Sequence, residues 1–201
     1  MPVGFDEVMI CNMALSIVGS KTTIENIDES TPAAKQCKIW YEPARLAMLE
    51  AFDWDFARKS KELSAHSVAA PLNRWNFRYQ IPADCIAPRV IENPAGPVAD
   101  AIPYEQENAG NGTMSIVTDM EDAVLLYTFD LDSPVLFSMH AVETHAFALA
   151  ERIAYKMTGK RTLAEQLRNG FEAKVGAAHV ANAIKSIPRP EQDALTIRAR
   201  Q

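Results

Sequence analysis

The apolar residues of this chain change their spacing twice, and that change limits the folds open to it. From Phe5 to about residue 62 they recur at intervals of three and four, the period of a helix with a buried side. From Trp75 the pattern becomes short alternating runs, with Trp75, Phe77, Tyr79 and Ile81 two residues apart, broken by Pro, Gly and Asn. At Asp132-Ser133-Pro134 the helical period returns and runs to about Ile187. Such a chain is expected to be α+β. A mainly helical layer would comprise N-terminal helices (1–62) and a C-terminal helical hairpin (133–187), with a small antiparallel β domain (63–132) inserted between them and an extended C-terminal arm (188–201).

Local signals set the expected boundaries. A first helix spans roughly residues 5 to 18 and stops at Gly19; it is apolar nearly all round, so either a core or a neighbouring subunit must cover it. Thr31 caps a second helix with Pro32 in its first turn. Pro43 removes one backbone donor, so two segments at an angle are expected rather than one rod. In the middle block, the Asn108–Gly112 turn should tip a hairpin between PYEQE and TMSIV. Pro88 makes its segment an irregular or edge strand. Ser133 is the expected cap of the next helix, which carries Leu136, Met139, Val142, Ala146, Leu149, Ile153 and Met157 and ends at Gly159. Thr162 and Glu165 form a capping box for the last helix. Beyond it two prolines hold the chain extended, and Leu195 and Ile197 are its anchors, as a free tail or as an arm that docks on a partner.

At 201 residues and 48% hydrophobic content the chain can bury a sizeable core without staples. Cys11, Cys37 and Cys85 are odd in number and show no metal-ligand spacing, so reduced, half-buried thiols are expected. The first residues carry no secretory leader pattern and no window reaches a membrane span, which points to a cytosol-like compartment. A formal charge of −6 disfavours adhesion to nucleic acid over the whole surface, because phosphate neutralisation needs clustered Lys and Arg.

The search for chemistry centres on Asp53-Trp54-Asp55. Two carboxyls about 5 to 9.5 Å apart are what glycoside hydrolysis requires. Residues two apart, however, do not face each other on a helix, and on a strand the residue between them points the other way. The expected role is therefore structural: Asp53 caps a short turn, and Phe52, Trp54 and Phe56 bury where the helical layer meets the β domain. Arg58, Lys59 and Lys61 read as a solvated face. His140, Glu143 and His145 lack the spacing of a zinc site, while His66 and His179 read as surface or interface residues. No nucleophile elbow and no phosphate-binding glycine loop is present, so no catalytic residue, no metal and no cofactor is expected, and the chain reads as structural rather than enzymatic.

Several pieces then fall into one order. An Asn-x-Ala-Leu helix ends in Gly; a capped helix holds a Cys and Tyr41-Glu42-Pro43-Ala44-Arg45; Trp54-Asp55-Phe56-Ala57 follows, and later Tyr79-Gln80-Ile81-Pro82-Ala83-Asp84-Cys85. Over residues 8 to about 92 this resembles the tail tubular protein A family, the head-to-tail adaptors of short-tailed bacteriophages. The resemblance implies a virion component, made in the host bacterial cytoplasm, with about twelve copies forming a ring between the portal protein and the tail nozzle protein. DNA passes transiently through the ring, and no membrane is involved. It implies a portal-docking arm that includes Ile187, Pro188, Arg189, Pro190, Leu195, Ile197, Arg198 and Arg200. Pro43, Phe52, Trp54 and Phe56 would be a structural joint setting the angle between helices and β domain. Two other readings stand beside it: a virion-borne cell-wall glycosidase using Asp53, Asp55 or Glu50, and a neck protein of a long-tailed phage.

Overall fold

A computed structural model describes residues 4–71, 74–93, 102–110 and 112–185, without the side chains of 182–185. Among the described residues the fold is α+β, with four helices and two antiparallel three-stranded sheets. The expected arm, Ile187 to Arg200, lies outside the described residues.

Helix α1 (Glu7–Ile17) starts where the Asp6 carboxylate accepts from the Met9 amide at 2.7 Å, and it ends before Gly19, whose φ of +78° suits a residue without a Cβ. Its own chain covers it. Ile10, Cys11, Ala14 and Leu15 are fully buried, and the Asn12 side chain exchanges two hydrogen bonds of 2.9 Å with the Ile24 backbone, closing the connecting loop over the helix. The apolar perimeter that left open a neighbouring subunit is therefore explained within one chain, save at Met9.

Helix α2 (Pro32–Ala51) begins as the sequence indicates, with Thr31 accepting from the Ala34 amide at 3.2 Å. The expected break at Pro43 is corrected: α2 is one continuous helix with Pro43 inside it. Pro43 and Ile39 sit on the exposed side, where water can take the carbonyl that loses its partner. After α2 comes a short turn (Asp55–Ala57) and strand β1 (Arg58–Glu62), which lies within the stretch read as helical. Every residue of β1 is exposed, so the burial alternation that marks a strand is missing from it.

Strands β2 (Phe77–Gln80), β3 (Cys85–Ile91), β4 (Tyr104–Asn108), β5 (Met114–Thr118) and β6 (Val124–Phe129) follow. One sheet runs β1-β6-β3 and the other β2-β5-β4, all antiparallel. Pro88 lies on β3, an edge strand with two register irregularities, where a missing N–H costs least. The β4–β5 hairpin pairs Asn108 with Met114, and Gly110 and Gly112 take positive φ in its turn. A small cluster of Leu63, Tyr79, Ile91, Ile116, Leu125 and Tyr127 fills the space between the sheets.

Helix α3 (Met139–Thr158) starts five residues later than Pro134, because Pro134–Leu136 form a separate 3-10 turn and Ser138, not Ser133, caps the helix. Gly159, at φ +71°, closes it as expected. Helix α4 (Arg161–Lys185) begins ahead of Thr162, which therefore lies inside the first turn rather than capping it. The hairpin packs closely at Gly170, where a Cβ would stand 2.7 Å from the Phe147 ring. The main core lies between α1, α2 and α3, with Leu149, Ile153, Met48 and Leu15 fully buried.

Candidate functional site

The segment linking the helical layer to the sheets gathers most of the singled-out residues. Phe52 and Trp54 are buried and Phe56 half-buried, in a chain of ring contacts that runs from His179 through Phe52, Trp54 and Phe56 to Phe137. The Trp54 indole N–H donates to the Met48 carbonyl at 2.8 Å, satisfying one carbonyl of the last turn of α2. Pro43 stands apart from this group on the outer side of α2.

Two arginines tie the same regions together: Arg45, which sequence reasoning named only as the end of a motif, and Arg89, which it did not single out. Arg89, on β3, points one Nη2 at the carbonyls of Leu49, Glu50 and Phe52, at 2.9 to 3.1 Å, and its Nε donates to Thr128. It caps the C-terminal end of α2 from the sheet, satisfying carbonyls that a helix end leaves open. Burial lowers its pKa, opposed by Asp53, Tyr104 and Glu50. Arg45, buried on α2, donates to Glu42, to Asp130 and to the Leu131 carbonyl, and so fixes the helix to the chain leaving β6. A charged residue at the Tyr41-Arg45-Met48 spacing of a buried face was a readable signal for Arg45. Arg89 follows a proline in a short strand and gave none.

Asp53 does not cap the short turn as expected. It forms a two-pronged pair with Arg58, at 2.7 and 3.1 Å, and Asp55 reaches the same guanidinium at 3.3 Å. The two carboxylates thus share one cation rather than facing each other across a cleft, and Glu50 is exposed. His140 is exposed while His145 is fully buried, its Nε2 3.1 Å from the Tyr41 carbonyl. Burial pulls His145 down to about 4, with Arg45 and Arg152 adding to the effect and the Tyr41 carbonyl opposing it. His66 is half-buried beside Thr113, and His179 is exposed against Phe52. Cys11 and Cys37 are fully buried rather than half-buried; a hydrogen bond to Cys37 and burial both push the Cys11 thiol up, away from reactivity. Among the described residues no group of His, Cys, Asp and Glu is arranged to hold a metal, and no helix is long and apolar enough to cross a membrane.

Two patches of the surface are apolar. Ile39, Trp40, Pro43 and Leu46 line the outward side of α2, with Ile39 57% exposed. Val135, Leu136 and Met139 form a second patch at the start of α3, where Leu136 is 59% exposed although the helical period had placed it in the core. A hollow lies on each side of this ridge. Phe52, Trp54, Phe56, Leu136, Ala178 and Ala181 line an aromatic one of about 220 Å³, with Asp55 at its rim. The other, of about 260 Å³, is acidic, with Asp6, Glu7, Glu42 and Asp132 around Tyr41 and Val135. This geometry suits the docking of chain segments better than the turnover of a small molecule. No protein-family model and no curated protein matches this chain.

Proposed function

We propose that this chain is a head-to-tail adaptor of a short-tailed bacteriophage, a non-enzymatic subunit that joins about twelve copies in a ring between portal and tail nozzle. The observation that carries the reading is the ordered set of motifs over residues 8 to 92. Two separate apolar patches are consistent with it, one on the outer side of α2 and one on the Val135–Leu136 ridge. A closed ring is built from head-to-tail contacts, so each subunit must present two different faces. The net charge of −6 also suits a conduit, since a cationic lumen would hold phosphates by counterion release.

Light scattering after size exclusion, on the chain alone and mixed with the portal of the same genome, tests this. Addition of many copies to one portal is the expected result. No affinity for the portal would overturn the reading.

A further inference from the structure

Most cations of this molecule are engaged by its own fold, and the exceptions gather at one end. Of the described Lys and Arg side chains, only Lys21, Lys35, Lys61, Lys156, Lys160 and Arg161 make neither an ion pair nor a hydrogen bond. The first three stand singly, in the loop after α1, on α2 and on β1. The other three fall within one stretch, 156–161.

The turn between α3 and α4 brings these three together. Gly159, at φ +71°, closes α3, and α4 starts two residues on. Lys156 in the last turn of α3 and Lys160 and Arg161 at the start of α4 therefore share the tip of the hairpin, all exposed. Lys156 suits the C-terminal end of its helix. Lys160 and Arg161 do not suit theirs: a cation at the start of a helix meets the positive end of the dipole, so the stability of α4 does not account for them. The carboxylates flanking the tip already have a cation, for Glu151 is held by Arg168 at 2.9 Å and Glu165 acts on the same Arg168. Arg161 is nonetheless held in place, its guanidinium 5.6 Å from the centre of the Tyr155 ring, which is itself 52% exposed. Contact with a π face orders a guanidinium without occupying its N–H donors.

We propose that the α3–α4 tip is a seat for the phosphate backbone of duplex DNA, with Lys156, Lys160 and Arg161 each meeting a phosphate. Arg161 supplies a fork of donors that fits a phosphate, and the two lysines supply point charges. A lipid surface asks for more, since recognition of anionic headgroups by charge takes clusters of about four to eight cations. The net charge of −6 repels DNA from the surface as a whole, so the contact is confined to the tip and is weak and salt-sensitive. Such a seat does not depend on the adaptor reading.

Fluorescence anisotropy of a labelled duplex of about 20 base pairs, titrated with the full chain at rising salt, tests the seat. The logarithm of the binding constant should fall with that of the salt concentration at a slope of about −2.7, three phosphate contacts at about −0.9 each. A Lys156→Gln, Lys160→Gln, Arg161→Gln triple variant should weaken binding at low salt about tenfold or more and bring the slope near zero. Lys21→Gln, Lys35→Gln, Lys61→Gln removes the same charge elsewhere and should change binding by less than about threefold. All six side chains are exposed, so both variants should keep the fold, which far-ultraviolet dichroism checks. Equal weakening by the two variants would show attraction to net charge alone and overturn the tip as a seat. No binding of the duplex at low salt would overturn it outright. Binding to phosphatidylglycerol vesicles that is tighter than to the duplex and lost in the tip variant would assign the tip to a lipid surface and overturn the DNA seat. The portal is absent from this test, so failure here is distinguishable from failure of the adaptor reading.

Discussion

The helical layer and the paired sheets are held together by different means. In the helical layer, Leu15, Met48, Leu149 and Ile153 meet in one continuous apolar core, and the helices need little else. The sheets enclose a much smaller cluster, and β1 buries none of its five residues. Their order depends on polar links instead: Arg78 bonds Glu107, Ser115 and the Ala69 carbonyl, and the Tyr127 hydroxyl donates to Asp84. A core of packed side chains fails as a unit when a cavity opens, whereas a region held by separate polar links can loosen locally.

The largest test of that difference is a cavity in the helical core. Leu149→Ala should cost about 4 kcal/mol and lower the thermal midpoint of the whole molecule, read by calorimetry. Arg78→Met, by contrast, should speed amide exchange in β2, β4 and β5 while leaving α3 protected. Equal loss of protection in both regions would show that the two are not separable in this way.

Acid should strike the helical layer through one residue. His145 is buried neutral with a pKa near 4 against 6.5 when unfolded, and Arg45 and Arg152 stand near it while Tyr41 packs against it. Above pH 6.5 both states are neutral at this site and it contributes no slope. Below that the unfolded chain takes up a proton that the folded chain refuses, so stability falls by about 3 kcal/mol as pH drops to about 4. Chemical denaturation across this range should show the fall, and His145→Phe should remove most of it.

The joint between the two regions comes next in size. Arg89→Met leaves the end carbonyls of α2 without their donor and should cost about 2 kcal/mol. If Arg89 couples the layers, the single unfolding transition should also broaden or split, as seen by comparing tryptophan fluorescence with far-ultraviolet dichroism. An unchanged, coincident transition would mean that Trp54 and its ring neighbours hold the joint alone.

The joint also shows what the sequence made legible and what it did not. Periodicity placed the helices, the hairpin turn at Gly110 and Gly112, and the edge position of Pro88, because each depends on local backbone chemistry. It missed β1, whose exposed Arg58–Glu62 run has no alternation, and it split α2 at a proline that an exposed helix face tolerates. It placed Leu136 in a core, yet Pro134 starts a separate turn there and leaves the side chain outside. Of the site, the aromatic residues 52, 54 and 56 were legible because clustered rings must bury somewhere. Arg89 and the acidic hollow were not, since they depend on segments far apart in sequence coming together.

The smallest expected effect belongs to the pair that looked most like chemistry. Asp53 and Arg58 are each about one-third exposed, and a partly exposed pair contributes little once desolvation and side-chain order are set against its attraction. Asp53→Asn should therefore cost under about 1 kcal/mol, helped by Asp55, which keeps a contact with Arg58 at 3.3 Å. Trp54→Ala, one residue on, should cost several times more, because it empties a buried site and strips the Met48 carbonyl of its donor. If the two variants were instead equally destabilised, the charges would carry the joint rather than the rings. If Asp53→Asn kept its fold and abolished a hydrolytic activity on bacterial cell wall, the carboxylates would regain the catalytic role that their shared guanidinium argues against.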